Sequence, residues 1–222
     1  MLTFVTVTLL LIIIILGIKL LKPVTHVQLK PENNIDKYKI AIHEAGHFII
    51  AWSCSHVTEI TKAQINDYDG FVTYYMINDG SNDNAWCELV IAIAGVAAEV
   101  KTYGKVASAP AKSDLEKALY LAHQLGNYVP KNIPDIKSLD FKSMFKNISD
   151  RECFLLSAAY RQAKEIIDNQ KEKFYHVTVL LQNLKIIDES HVKQIMGTRA
   201  HITIIGLFAP LFVYPGFMKE AA

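Results

Sequence analysis

The stretch Ile42-His43-Glu44-Ala45-Gly46-His47 decides how the chain is read. On a helix, residues four apart share a face, so His43 and His47 can turn an imidazole nitrogen toward one metal ion. Zinc accepts such nitrogens, and in catalytic sites it takes one more protein ligand and leaves a position for water. Glu44 sits beside that water, where it can take the proton as the metal lowers the water's pKa. The flanks support a helix. Asn33, Asn34 and Asp36 are candidate N-terminal caps, and Ile42, Ala45, Ile49 and Trp52 recur at helical spacing. H-E-x-x-H also arises by chance on ordinary helices, so the rest of the chain has to support it.

The chain has 222 residues, enough for one substantial domain and a small appendage. A formal net charge of +1 offers no nucleic-acid footprint. Cys54, Cys87 and Cys153 are far apart, odd in number and without a CxxC pair. They read as buried structural thiols of a reducing compartment, not as metal ligands. Residues 1–18 carry no charged side chain, no basic residue precedes the apolar run, and no small-residue cleavage site follows it. That predicts a retained transmembrane anchor over residues 1–21 instead of a removed signal peptide. Lys19, Lys22 and Lys30 come after the span. The positive-inside rule then predicts a single-pass membrane protein whose remainder faces the cytoplasm. Residues 22–34, with Pro23 and Pro31, form a linker.

Beyond the His43 helix, expected to run to Cys54, residues 57–76 alternate in strand fashion around the turn signal Asn66-Asp67-Tyr68-Asp69-Gly70. They predict a hairpin or small sheet with Gly70-Phe71-Val72-Thr73-Tyr74-Tyr75 as one strand. Residues 84–100 form a helix that is apolar nearly all round, hence buried, with Gly95 permitting close helix contact and Gly104 ending it. A charged Glu99 in such a run requires a partner, a nearby metal, or a route to solvent at the helix end. Ser113-Asp114-Leu115-Glu116 has the form of a capping box with Asp114 at the first helical position. That role accounts for Asp114 by itself, although a carboxylate held at a helix start can also bind a metal. Ser149-Asp150-Arg151-Glu152 is a second capping box opening a helix to about Lys173. Helices over residues 175–184 and after Asp188 follow, and His176 and His191 read as surface or packing residues. The tail, residues 198–222, is apolar but broken by Pro210 and Pro215, which suggests membrane association or docking.

Three blocks together resemble the peptidase domain of the FtsH family of membrane-bound AAA+ zinc metalloproteases. They are Ala41-Ile42-His43-Glu44-Ala45-Gly46-His47, Ala94-Gly95-Val96-Ala97-Ala98-Glu99, and Ser113-Asp114-Leu115-Glu116-Lys117-Ala118. The resemblance covers residues 35–197 and implies a mainly α fold with a small β-sheet or hairpin. It implies one zinc ion per chain, held by His43, His47 and Asp114, with Glu44 as the catalytic group. Glu99 would orient a ligand histidine. Gly70, Phe71, Val72, Thr73 and Tyr74 fall where the family has an edge strand beside the metal, to which a substrate backbone could add. Homo-oligomerisation, as in the family's hexamers, is implied as well. Departures accompany the likeness. No Walker A pattern occurs, so the expectation is a peptidase domain without its own ATPase, working on unfolded segments or with a separate AAA+ ATPase. Val96 stands where the family has Arg, and the family's Pro-Arg-Gly before the edge strand is absent.

Two other classes compete. An intramembrane protease also uses H-E-x-x-H, but Asp36, Lys37 and Lys39 crowd the start of this helix and no spanning apolar run contains His43. A non-catalytic membrane adaptor that modulates a protease complex would keep the fold but has no need of an intact His43, Glu44, His47 and Asp114 set. The expectation is therefore a membrane-anchored zinc endopeptidase acting on unfolded or membrane-associated proteins.

Overall fold

Helix α1, Ile35–Ser53, buries Ile42, Ala45 and Ile49 of the apolar stripe read from the sequence together with Phe48, while Trp52 of that stripe is half-buried. Full burial of an Ile or Phe side chain contributes about 1.5–3 kcal/mol. These positions come from a computed structural model that describes residues 35–197. The expected anchor over residues 1–21, the linker, the caps Asn33 and Asn34, the side chain of Asp36 and the tail over residues 198–222 lie outside the described residues. Among the described residues, no helix is long and apolar enough to cross a membrane.

Two strands follow, β1 (Val57–Ile65) and β2 (Gly70–Met76), paired antiparallel from Val57↔Met76 to Ile65↔Gly70. Their turn is the Asn66–Gly70 signal. The Asn66 side-chain oxygen accepts from the backbone N–H groups of Tyr68 and Asp69, and the Asn66 N–H donates to the Asp69 carbonyl at 2.8 Å. The hairpin is in fact part of a three-stranded sheet of order β2-β1-β3, because Ile186–Asp188 forms β3, antiparallel to β1. Three residues are too few to show an alternating pattern, so this strand was not foreseen.

Helix α2, Asn82–Tyr103, is the buried helix expected from its composition. Ser81 caps it by accepting from the Asn84 N–H, and Gly104 ends it in the left-handed region that glycine enters without strain. Helices α1 and α2 pack so closely that a Cβ at Gly46 would come within 2.6 Å of the Ala94 carbonyl oxygen and 2.7 Å of the Ala98 Cβ.

Helix α3, Pro110–Leu125, corrects the reading of Ser113. It starts at Pro110, whose missing N–H costs nothing in the first turn. The Ser113 hydroxyl donates to the Pro110 carbonyl within the helix instead of capping it. Asp114 therefore sits one turn inside, and capping no longer explains it. A short helix α4, Phe141–Met144, was also not foreseen. Helix α5, Asp150–Asn169, opens with both halves of the Ser149–Glu152 capping box but ends before Lys173. Gln170 separates it from α6, Lys171–Leu184, and donates to the Ser53 hydroxyl at 2.6 Å, tying that junction to the end of α1. Asp188 caps α7, Glu189–Met196, as expected.

Candidate metal centre

One turn of α1 brings His43 and His47 to the same face, with their Nε2 atoms 3.0 Å apart. Asp114 reaches in from α3, its Oδ2 lying 2.6 Å from His43 Nε2 and 2.9 Å from His47 Nε2. Each histidine is aimed by its other nitrogen. His43 Nδ1 lies 2.6 Å from Glu99 Oε1, and His47 Nδ1 donates to the Ile91 carbonyl at 2.7 Å. With both Nδ1 positions engaged by acceptors, the Nε2 lone pairs converge on one point. Two lone pairs and a carboxylate facing each other repel unless a cation or proton lies among them.

The donor set fits zinc. It comprises two imidazole nitrogens and one carboxylate oxygen, 2.6 to 3.0 Å apart, a little closer than the about 3.3 Å expected between such ligands around a tetrahedral ion. His43 and His47 are the pair read from their spacing, and Asp114 is the third residue that the resemblance implied. The resemblance implied that Glu99 orients a ligand histidine; it did not imply the bonds Glu99 also makes to the loop before α3. This fully buried carboxylate, in the last turns of α2, accepts from the Ala107 N–H at 2.5 Å, the Ser108 N–H at 3.0 Å and the Ser108 hydroxyl. Glu99 thereby holds His43 with one oxygen and, with its bonds to Ala107 and Ser108, the loop that delivers Asp114. The loop's role leaves no motif, because its contribution is mostly backbone.

Electrostatics make the cluster a well for positive charge. Burial disfavours a charged His43. Even so, its hydrogen bonds to Asp114 and Glu99, with Glu44 close by, push its pKa up to about 10. Burial likewise opposes the Asp114 charge, yet His47 and His43 outweigh it and hold the carboxyl well below the usual range. Glu99 behaves the same way, with burial opposed by His43, Ser108 and the Ala107 N–H, and it ends below the ordinary value. Glu44 goes the other way. Burial raises its pKa, and His47 and His43 offset this only in part.

Two glycines fit around these groups. A Cβ at Gly95 would overlap the His43 ring. One at Gly70 would come within 2.5 Å of Glu44 Cγ and 2.9 Å of Glu44 Oε1, so the first residue of β2 lies directly against the Glu44 carboxyl group. Strand β2 is one of the two outer strands of the sheet, and along it Gly70, Val72 and Tyr74 are half-buried while Phe71 and Thr73 are exposed. The Tyr74 hydroxyl is pushed up to about 12, first by burial and then by Glu88, Cys54, Asp114 and Cys87.

No family model matches the chain. It is 23% identical over 192 residues to the ATP-dependent zinc metalloprotease FTSH 3, mitochondrial, of Oryza sativa subsp. japonica. It is 24% identical over 183 residues to the ATP-dependent zinc metalloprotease FtsH of Parabacteroides distasonis. It is 22% identical over 190 residues to the mitochondrial inner membrane m-AAA protease component AFG3L2 of Mus musculus. These alignments cover 78%, 74% and 77% of this chain but 24%, 27% and 23% of the relatives, so the chain spans about a quarter of their length. Over about three quarters of its own length, the chain is thus distantly similar to zinc metalloproteases of the FtsH and m-AAA kind.

Proposed function

We propose that the chain is a zinc-dependent endopeptidase in which His43, His47 and Asp114 bind one zinc ion and Glu44 is the proton carrier. One observation carries the proposal: two imidazole Nε2 atoms and a carboxylate oxygen converge within 3.0 Å of one another while both Nδ1 atoms are held elsewhere. Bound zinc supplies Lewis acidity toward the scissile carbonyl and lowers the pKa of the attacking water. Glu44 takes the proton from that water and passes it to the leaving amine. A carboxyl group raised by burial is suited to holding the proton between those two steps. Glu99 keeps His43 in the productive ring orientation and fixes its tautomer.

The substrate is an extended peptide that adds to the outer edge of β2 over residues 70–74, bringing its carbonyl to the side on which Glu44 meets Gly70. Residues 1–21 anchor the chain in a membrane, with the peptidase domain over residues 35–197 on the cytoplasmic side. The partners implied are further copies of the chain, up to a hexamer, and a separate AAA+ ATPase for folded substrates.

The test is cleavage of casein and short peptides by the purified chain loaded with zinc, without ATP, beside Glu44→Gln. Cleavage is expected to fall by at least about a hundredfold in the variant, the scale of a lost general base, while zinc content stays the same. Bound zinc with no cleavage in the wild type would favour the adaptor class. Failure to bind zinc through His43 and His47 would end the proposal.

A further inference from the structure

Cys54, His56 and Cys87 form a second group of metal-capable side chains, apart from the His43 site, with their ligand atoms all within 4.8 Å of one another. Both cysteines are fully buried and neither is in a disulfide. Cys54 follows the last residue of α1, His56 precedes the first residue of β1, and Cys87 lies in the second turn of α2. Their separation in sequence, 31 residues between His56 and Cys87, hides the group from any spacing rule.

The geometry has the form of a ligand set. His56 Nδ1 lies 3.7 Å from Cys87 Sγ. Around a tetrahedral zinc ion, a nitrogen and a sulfur ligand are separated by about 3.6 Å, and two sulfurs by about 3.8 Å. On the far side of the ring, Asp79 Oδ2 lies 3.8 Å from His56 Nε2, a charge in the neighbourhood without a hydrogen bond. Asp79 is itself held by the Ser81 N–H, and the His56 carbonyl accepts from the Ile77 N–H at 2.8 Å. Both residues are therefore positioned by backbone. His56 is part-exposed and Asp79 more so, which leaves the group open to an ion from solvent.

We propose that Cys54, His56 and Cys87 bind a second zinc ion. Two thiolates and an imidazole are a donor set that zinc takes, with water in the fourth position. The ion joins the end of α1 to the beginning of α2, the two helices that carry His43, His47 and Glu99.

Cobalt(II) titration of the full, reduced chain tests this, because sulfur-to-cobalt charge-transfer absorption cannot come from the His43, His47 and Asp114 site, which has no sulfur. The band is expected to saturate by two equivalents at the latest, whatever share of the cobalt the first site takes up. It should vanish in Cys87→Ser, persist in Cys153→Ser, and need at least about tenfold more cobalt in His56→Gln. His56→Gln changes a part-exposed side chain and keeps the test sharp if Cys87→Ser does not fold. An absent band, a band that survives Cys87→Ser, an unchanged titration in His56→Gln, or a native Cys54–Cys87 disulfide would each overturn the proposal. None of these results depends on whether the first site binds metal or cleaves peptides.

Discussion

The two donor clusters differ in how they are assembled. His43 and His47 come from one turn of one helix, and a single further residue, Asp114, completes the set. Cys54, His56 and Cys87 come from a helix end, a strand start and a second helix, and no two of them share an element. The first cluster is surrounded by carboxylates, with Glu44, Glu99 and Asp114 all nearby, and so favours a cation electrostatically. The second has two thiols, with the carboxylates of Asp79 and Asp83 farther off. On the proposed assignments, the contrast teaches that a reacting centre and a structural clamp place different demands on the chain. Chemistry needs a base and a substrate edge beside the donors, whereas a clamp needs only to bridge elements.

Glu99→Gln should have the largest effect on that contrast. It weakens the bond that orients His43 and the anchoring of the loop before Asp114, so zinc binding at the first cluster is expected to drop about ten- to hundredfold. Competition with a chelator measures it, and an unchanged affinity would make the two clusters alike in needing no orienting carboxylate. Gly95→Ala comes next. Its Cβ would overlap the His43 ring, so denaturant unfolding should show a loss of about 1–3 kcal/mol together with weaker zinc binding. Full stability with full zinc affinity would show that α1 and α2 can separate without harm.

Val72→Pro and Tyr74→Pro probe the substrate edge, which the second cluster does not need. Loss of one ladder bond, worth about 0.5–1.5 kcal/mol, is expected to lower peptide cleavage about two- to tenfold in at least one variant. Cleavage unaltered in both would remove β2 from the proposed cleft. The smallest effect belongs to Asp168, which lies in neither cluster and pairs with Lys101 of α2 and with Lys164 at 2.6 Å. Burial opposes its charge, but the two lysines outweigh it and hold the carboxyl below 3.8. A depressed carboxylate stabilises the fold above its unfolded pKa, and that gain is lost as the pH falls through the folded value. Thermal melting of wild type and Asp168→Asn should therefore differ by at most about 1 kcal/mol near neutrality, and the gap should close below pH 3.8. A gap that persists in acid would assign the effect to packing.

Much of the architecture was legible because its signals are local. The stripe of α1, the Asn66 turn, the caps Ser149 and Asp188 and the left-handed end at Gly104 each depend on residues within a few positions of one another. Asp114 shows the limit. A capping box at Ser113 was a sound local inference, yet the helix starts at Pro110, so the pattern was present without its function. Strand β3 and the short α4 were missed because pieces of three or four residues carry no period.

By itself the sequence determined that His43 and His47 share a helix face with Glu44 beside them, since 3.6 residues per turn leaves no alternative once the helix forms. It also marked Glu99 as a charge in need of a partner. Only the tertiary structure decided which partner, because the Nδ1 of His43 and the N–H groups of Ala107 and Ser108 reach Glu99 through packing and loop closure. Only packing, too, brought Cys87 to within 3.7 Å of His56, as long-range proximity comes from how elements bury their apolar faces and leaves no spacing in the chain.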